Sequence, residues 1–155
     1  MERNFNFRKR FIKDQDNLEM LKKSQELKDL DKEMLPILQK FFLLPMTPIE
    51  SCYGHPENGK DPYLSYVDDI SLDDSVNEMQ LFFREKLDEL QSRINRRLGG
   101  EIVNMNLEKT EHGGGPNDYT IRFRIDDKAI FKERGKEIID VIWDEFNKYL
   151  EESIK

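Results

Sequence analysis

The rhythm of apolar and polar positions changes several times along this chain, and each change marks an element. Val76, Met79, Phe83, Leu87, Leu90, Ile94 and Leu98 recur at steps of three and four. That spacing lines one side of a long helix. Ser71 and Asp74 ahead of it resemble a capping box, and Gly99-Gly100 behind it is a stop signal. Arg93, Arg96 and Arg97 fall in its last turns, where positive charge suits the helix dipole. An earlier stripe, Leu27, Leu30, Met34, Leu38 and Phe41, predicts a helix from Asp16, with a break near Met34 to Leu35 because Pro36 interrupts it. A last stripe, Ile139, Ile142, Trp143, Phe146 and Leu150, predicts a third helix that Asp126 or Asp127 can cap. Gly135 weakens its early turns by about 1 kcal/mol relative to alanine.

Between the helices the period drops to two. Val103, Met105 and Leu107 alternate with polar residues, as do Tyr119, Ile121, Phe123 and Ile125 with Thr120, Arg122 and Arg124. Each run has one buried and one wet face, and "EHGGGPND" joins them as a hairpin. Ile49–Gly54 and "YLSYV" (63–67) predict another hairpin across "HPENGKDP", where Asn58-Gly59 tolerates positive φ. The predicted order is α-ββ-α-ββ-α. Isolated two-stranded ribbons are rarely stable, so the hairpins are expected to merge into one four-stranded, mainly antiparallel sheet covered by helices. This is a two-layer α+β sandwich. The halves echo each other: His55 and His112 each precede a Gly- and Pro-rich turn, a strand and a helix, suggesting a degenerate ββα repeat. Residues 1–13 read as an N-terminal arm and 14–155 as one domain.

Composition narrows the functional classes. Apolar and charged residues each make up 37%, but ten Phe, five Tyr and one Trp indicate a core beneath a charged skin. A net charge of −7 makes nucleic acid an unlikely partner, because affinity for it rests on Lys and Arg neutralising phosphates. No apolar run approaches the ~20 residues that span a bilayer, and the start of the chain lacks the apolar segment of a secretory signal. A cytoplasmic protein without membrane contact is the expectation.

Candidate chemistry is sparse. Cys52 and His55 have a C-x-x-H spacing, which allows thiol catalysis if a turn brings them together. One Cys and two His are too few for a structural zinc site, and no metal is expected. His112 and Gly113, Gly114 and Gly115 form a turn that could contact a ligand, although a strand follows where a phosphate loop would have a helix. Arg122 and Arg124 lie on the polar face of the last strand, where an uncovered sheet face would use them for binding, and Tyr63 or Tyr66 of the other hairpin could line the same surface. Thr47, Ser51, Cys52 and Gly54 are similar to the Thr…Ser-Cys-x-Gly strand motif of the wybutosine-synthesis methyltransferases, with two extra residues after the threonine and His55 where that motif has arginine. That resemblance implies an S-adenosylmethionine-dependent enzyme acting on tRNA. The residues themselves favour a non-enzymatic module that binds a protein or small molecule through the open sheet face or the glycine-rich loop. The alternatives are an enzyme using Cys52 and His55, or a homodimer formed through an uncovered surface. The cofactor, if any, is unknown.

Overall fold

The computed structural model describes residues 32–41, 46–68, 74–110 and 118–153. Four strands, β1 (Met46–Cys52), β2 (Tyr63–Asp68), β3 (Asn104–Thr110) and β4 (Asp118–Arg124), form one antiparallel sheet in the order β1-β2-β4-β3. Helices α1 (Leu35–Phe41), α2 (Asp74–Leu98) and α3 (Lys128–Ser153) complete the expected α-ββ-α-ββ-α order. With β2 and β4 inside and β1 and β3 outside, the order is that of two ββα units facing each other across the β2–β4 pair.

Residue spacing explains which side of the sheet is dry. Leu64 and Tyr66 on β2, Met105 on β3, and Tyr119, Ile121 and Phe123 on β4 are buried in a single apolar cluster. Ile37 and Leu38 of α1, Leu90, Ile94 and Leu98 of α2, and Ile138, Ile142, Trp143 and Phe146 of α3 fill the same cluster. Trp143 packs edge-on to Phe123 at 5.0 Å and to Phe146 at 5.8 Å between ring centres.

Polar side chains lock the helices to each other and to the sheet. Glu145, 4% exposed, accepts from Arg93 Nε and from Arg97 Nη1, each at 2.9 Å, and so ties α3 to α2. These two arginines of the basic cluster therefore serve the helix interface, while Arg96 is exposed. Asn95 grips Val103 in both directions, donating to its carbonyl at 2.9 Å and accepting from its amide at 2.8 Å. Gln91 accepts from the Met105 amide at 2.7 Å. These contacts satisfy the outer edge of β3 where it starts, an edge that would otherwise present unpaired amides.

The local signals land as follows. Asp127 caps α3, its Oδ1 accepting from the Ala129 and Ile130 amides at 3.1 Å. Pro36 lies in the first turn of α1, directly after a 3₁₀ turn at Lys32–Met34, where its missing amide is harmless. β1 starts at Met46, earlier than predicted, and contains Pro48. An edge strand tolerates a proline there, and the pairing with β2 shifts between Pro48 and Glu50. The β1–β2 connection turns through a 3₁₀ turn at Pro56–Asn58 and Gly59, whose φ of 66° explains the glycine. The expected capping residue Ser71, the helix from Asp16 to residue 31, and the arm at 1–13 lie outside the described residues.

Candidate functional site

The site candidates are the side chains on the sheet face opposite the helices. Paired residues of antiparallel strands point to the same face, so the register fixes their neighbours. Glu50 pairs with Ser65, Ser65 with Thr120, and Thr120 with Glu108. One row across the whole sheet therefore reads Glu50–Ser65–Thr120–Glu108, a near-palindrome centred on the β2–β4 pair. The row beside it reads Cys52–Tyr63–Arg122–Asn106.

The centre of the first row is short and its surroundings are long. Ser65 and Thr120 share a hydroxyl–hydroxyl hydrogen bond of 2.8 Å. The Tyr63 hydroxyl donates to Glu50 Oε1 at 2.6 Å, and Arg122 Nε donates to Glu108 Oε2 at 2.9 Å. The Arg122 guanidinium also lies 5.4 Å from the centre of the Tyr63 ring, within cation–π reach. The result is a depression of about 370 Å³, with Glu50, Tyr63, Ser65, Thr120 and Arg122 in its lining and Thr110 and Asp118 at its far side. That volume falls at the lower end of the ~300–1,000 Å³ of small-molecule sites.

The electrostatics follow from these contacts. Burial, then the bond to the Glu50 carboxylate, pushes the Tyr63 phenol well above its ordinary value, so it remains a donor at neutral pH. The Arg122 bond holds the Glu108 carboxyl below the usual carboxylate range. A carboxylate with a depressed folded pKa contributes stability that is present above its unfolded pKa and lost as pH falls through the folded value. Glu108→Gln is therefore expected to flatten the fall of stability as pH drops below the ordinary Glu value of about 4.3, measured by urea unfolding at stepped pH. An unchanged slope would show that the ion pair makes no net contribution, as many exposed pairs do not.

Among the sequence candidates, Tyr63 and Arg122 come together in this depression. Arg124 lies farther along β4 and bonds Asp126 at 3.2 Å. Cys52 is buried, 9% exposed, opposite Tyr63 in register and outside the main apolar cluster. His55 lies past the end of β1, in an isolated bridge with Lys60, with its Nδ1 3.6 Å from a Glu57 carboxylate oxygen. Between them, Tyr53 turns toward α3: its carbonyl accepts from Trp143 Nε1 at 2.8 Å and its hydroxyl donates to Asp140 at 3.1 Å. Burial and the Asp140 bond raise the Tyr53 phenol to about 12. His112, Gly113, Gly114 and Gly115 lie outside the described residues.

Sequence reasoning passed over Glu50, Ser65, Thr120 and Glu108. The signal that could have found Thr120 and Glu108 is the alternation of β3 and β4, because both occupy polar positions of predicted strands. Their meeting with Ser65 depends on the β2–β4 register, which no local pattern supplies. No described helix is long and apolar enough to cross a membrane. No family model matches the chain, and neither a curated protein nor a solved structure matches it.

Proposed function

We propose that the protein is a non-enzymatic binding module that takes a small polar ligand in the depression on the sheet face that no described helix covers. The observation that supports this reading is the preset rim. Tyr63 and Arg122 are each held by their own carboxylate around a floor of two short hydroxyl residues. Side chains already ordered lose less freedom when a ligand arrives, and preorganisation of this kind raises affinity. Floor and rim offer donors and acceptors of both charge signs, which suits a polar ligand better than an apolar one.

The test is to fill the floor. Thr120 is half-buried on the open face, so Thr120→Met lengthens a side chain there without entering the apolar cluster. A panel of small polar metabolites screened by ligand-observed NMR is expected to yield a binder for the wild type. Thr120→Met should weaken that binder at least about tenfold, or about 1.4 kcal/mol, with its unfolding midpoint close to the wild type. Undiminished binding to Thr120→Met would place the ligand elsewhere. Turnover of the bound compound, lost in Cys52→Ser, would overturn the reading in favour of a thiol enzyme.

A further inference from the structure

The geometry points to a ligand class for this depression: a small zwitterion of amino-acid type, its carboxylate on Arg122 and its ammonium on the Glu50 side. The inference rests on the reading of the depression as a ligand site and deepens it. Arg122 carries five N–H donors in a rigid fork. Glu108 takes the one on Nε, and the two terminal nitrogens have no hydrogen-bond partner among the described residues. The Glu108 bond and the Tyr63 ring hold the guanidinium plane from two directions, leaving its end free to meet a carboxylate bidentately. Across the depression, Glu50 accepts from Tyr63 through Oε1, and among the described residues Oε2 has no hydrogen-bond partner.

Charge complementarity then selects among ligands. Among the described residues that line the depression, Glu50 and Asp118 supply carboxylates and Arg122 a guanidinium, with Glu108 bonded to that guanidinium beside them. A simple anion would satisfy Arg122 but add negative charge beside carboxylates. A simple cation would suit Glu50 and leave the arginine fork unmet. A molecule carrying both charges answers both sides without changing the net charge. The Ser65–Thr120 pair lies between the two ends, where hydroxyls can donate to or accept from the ligand's polar body. A free amino acid fits readily within about 370 Å³, with room for bridging water.

The test follows the backbone amide signals of Ser65, Thr120 and Arg122 in two-dimensional NMR titrations of the full chain. Each standard L-amino acid is added in turn. The tightest is then compared with its N-acetyl derivative, which is an anion, and its methyl ester, which is a cation. Saturable shifts are expected for a free amino acid, with both derivatives at least about tenfold weaker, because each lacks one charged contact. Arg122→Gln should weaken the free amino acid by a similar factor and leave the ester unaffected. Glu50→Gln should weaken it and leave the N-acetyl form unaffected. If either derivative bound as tightly as its parent, or Arg122→Gln bound the parent undiminished, the zwitterion would be ruled out while the depression remained a ligand site. If no amino acid moved these signals, the ligand class would fall, and the depression itself would be judged by the metabolite panel and Thr120→Met.

Discussion

Replacing Phe123 with alanine is expected to lower folding stability by about 3–5 kcal/mol, the range for an aromatic removed from a packed core. Phe123 has no exposed surface and lies on β4, an inner strand. Its ring meets Trp143 at 5.0 Å and Phe146 at 5.9 Å, both edge-on, so its loss strips contacts from the aromatic centre of α3. The neighbours cannot collapse freely into the gap, because Trp143 is tied by its indole N–H to the Tyr53 carbonyl. For a domain of this length the loss corresponds to a fall in Tm of roughly 6–20 °C. Urea unfolding of Phe123→Ala and of the milder Phe123→Leu measures it. A loss below about 1 kcal/mol in the alanine variant would mean that β4 does not pack against α3 as described. The consequence reaches the other side of the sheet. Arg122 is the preceding residue, so the strand whose inner face anchors the core also presents the outer-face guanidinium.

That alternation is why much of the fold was legible in the sequence. Tyr119, Ile121, Phe123 and Ile125 could be assigned to one face without coordinates, and all four are buried. The α3 stripe and the second half of the α2 stripe read equally well, with Leu90, Ile94 and Leu98, and Ile139, Ile142, Trp143 and Phe146, in the cluster, while the side chains of Val76, Met79 and Phe83 lie outside the described residues. The site was legible only in part. Arg122 was identifiable as a polar-face residue, but whether Tyr63 or Tyr66 joins it is decided only by the pairing Tyr63↔Arg122 between strands far apart in the chain, which leaves Tyr66 buried in the core. Such a register is set by core packing, here including the stack of Tyr66 on Tyr119 at 5.5 Å, and not by any turn. The carboxylates of Glu50 and Glu108 looked like ordinary surface charge for the same reason. Their significance appears only once both are seen to flank the same hydroxyl pair. β1 begins three residues before the predicted Ile49 because an edge position with a shifted register accommodates Pro48 within the strand.

Gly135 reverses an expectation drawn from helix propensity. In an open helix, alanine in place of glycine stabilises by about 1 kcal/mol. Here Gly135→Ala is expected to destabilise. A Cβ at this position would collide with Cγ and Cβ of the Pro56 ring. A proline ring cannot swing aside as a lysine tip would, so the collision must be relieved by moving backbone, and overpacking of this kind costs about 1–3 kcal/mol or more. Gly135→Val, bulkier and β-branched, is expected to lose about 3 kcal/mol or more. α3 is already bent beside this point: Arg134 has φ −111° and ψ 19°, and its Nη2 donates to the Leu98 carbonyl at the end of α2 at 2.9 Å. The glycine thus lets the turn between β1 and β2 lie directly on the helix, which also places the strands that carry Glu50 and Tyr63. The pairing can be tested by a double-mutant cycle measured by urea unfolding. Pro56→Ala removes the ring, so Gly135→Ala made in that background should recover part of the helix-propensity gain, with a coupling of about 0.5–3 kcal/mol. If Gly135→Ala stabilised the protein with Pro56 present, the close approach of turn and helix would be wrong. Equal effects in the two backgrounds would trace the loss to something other than Pro56.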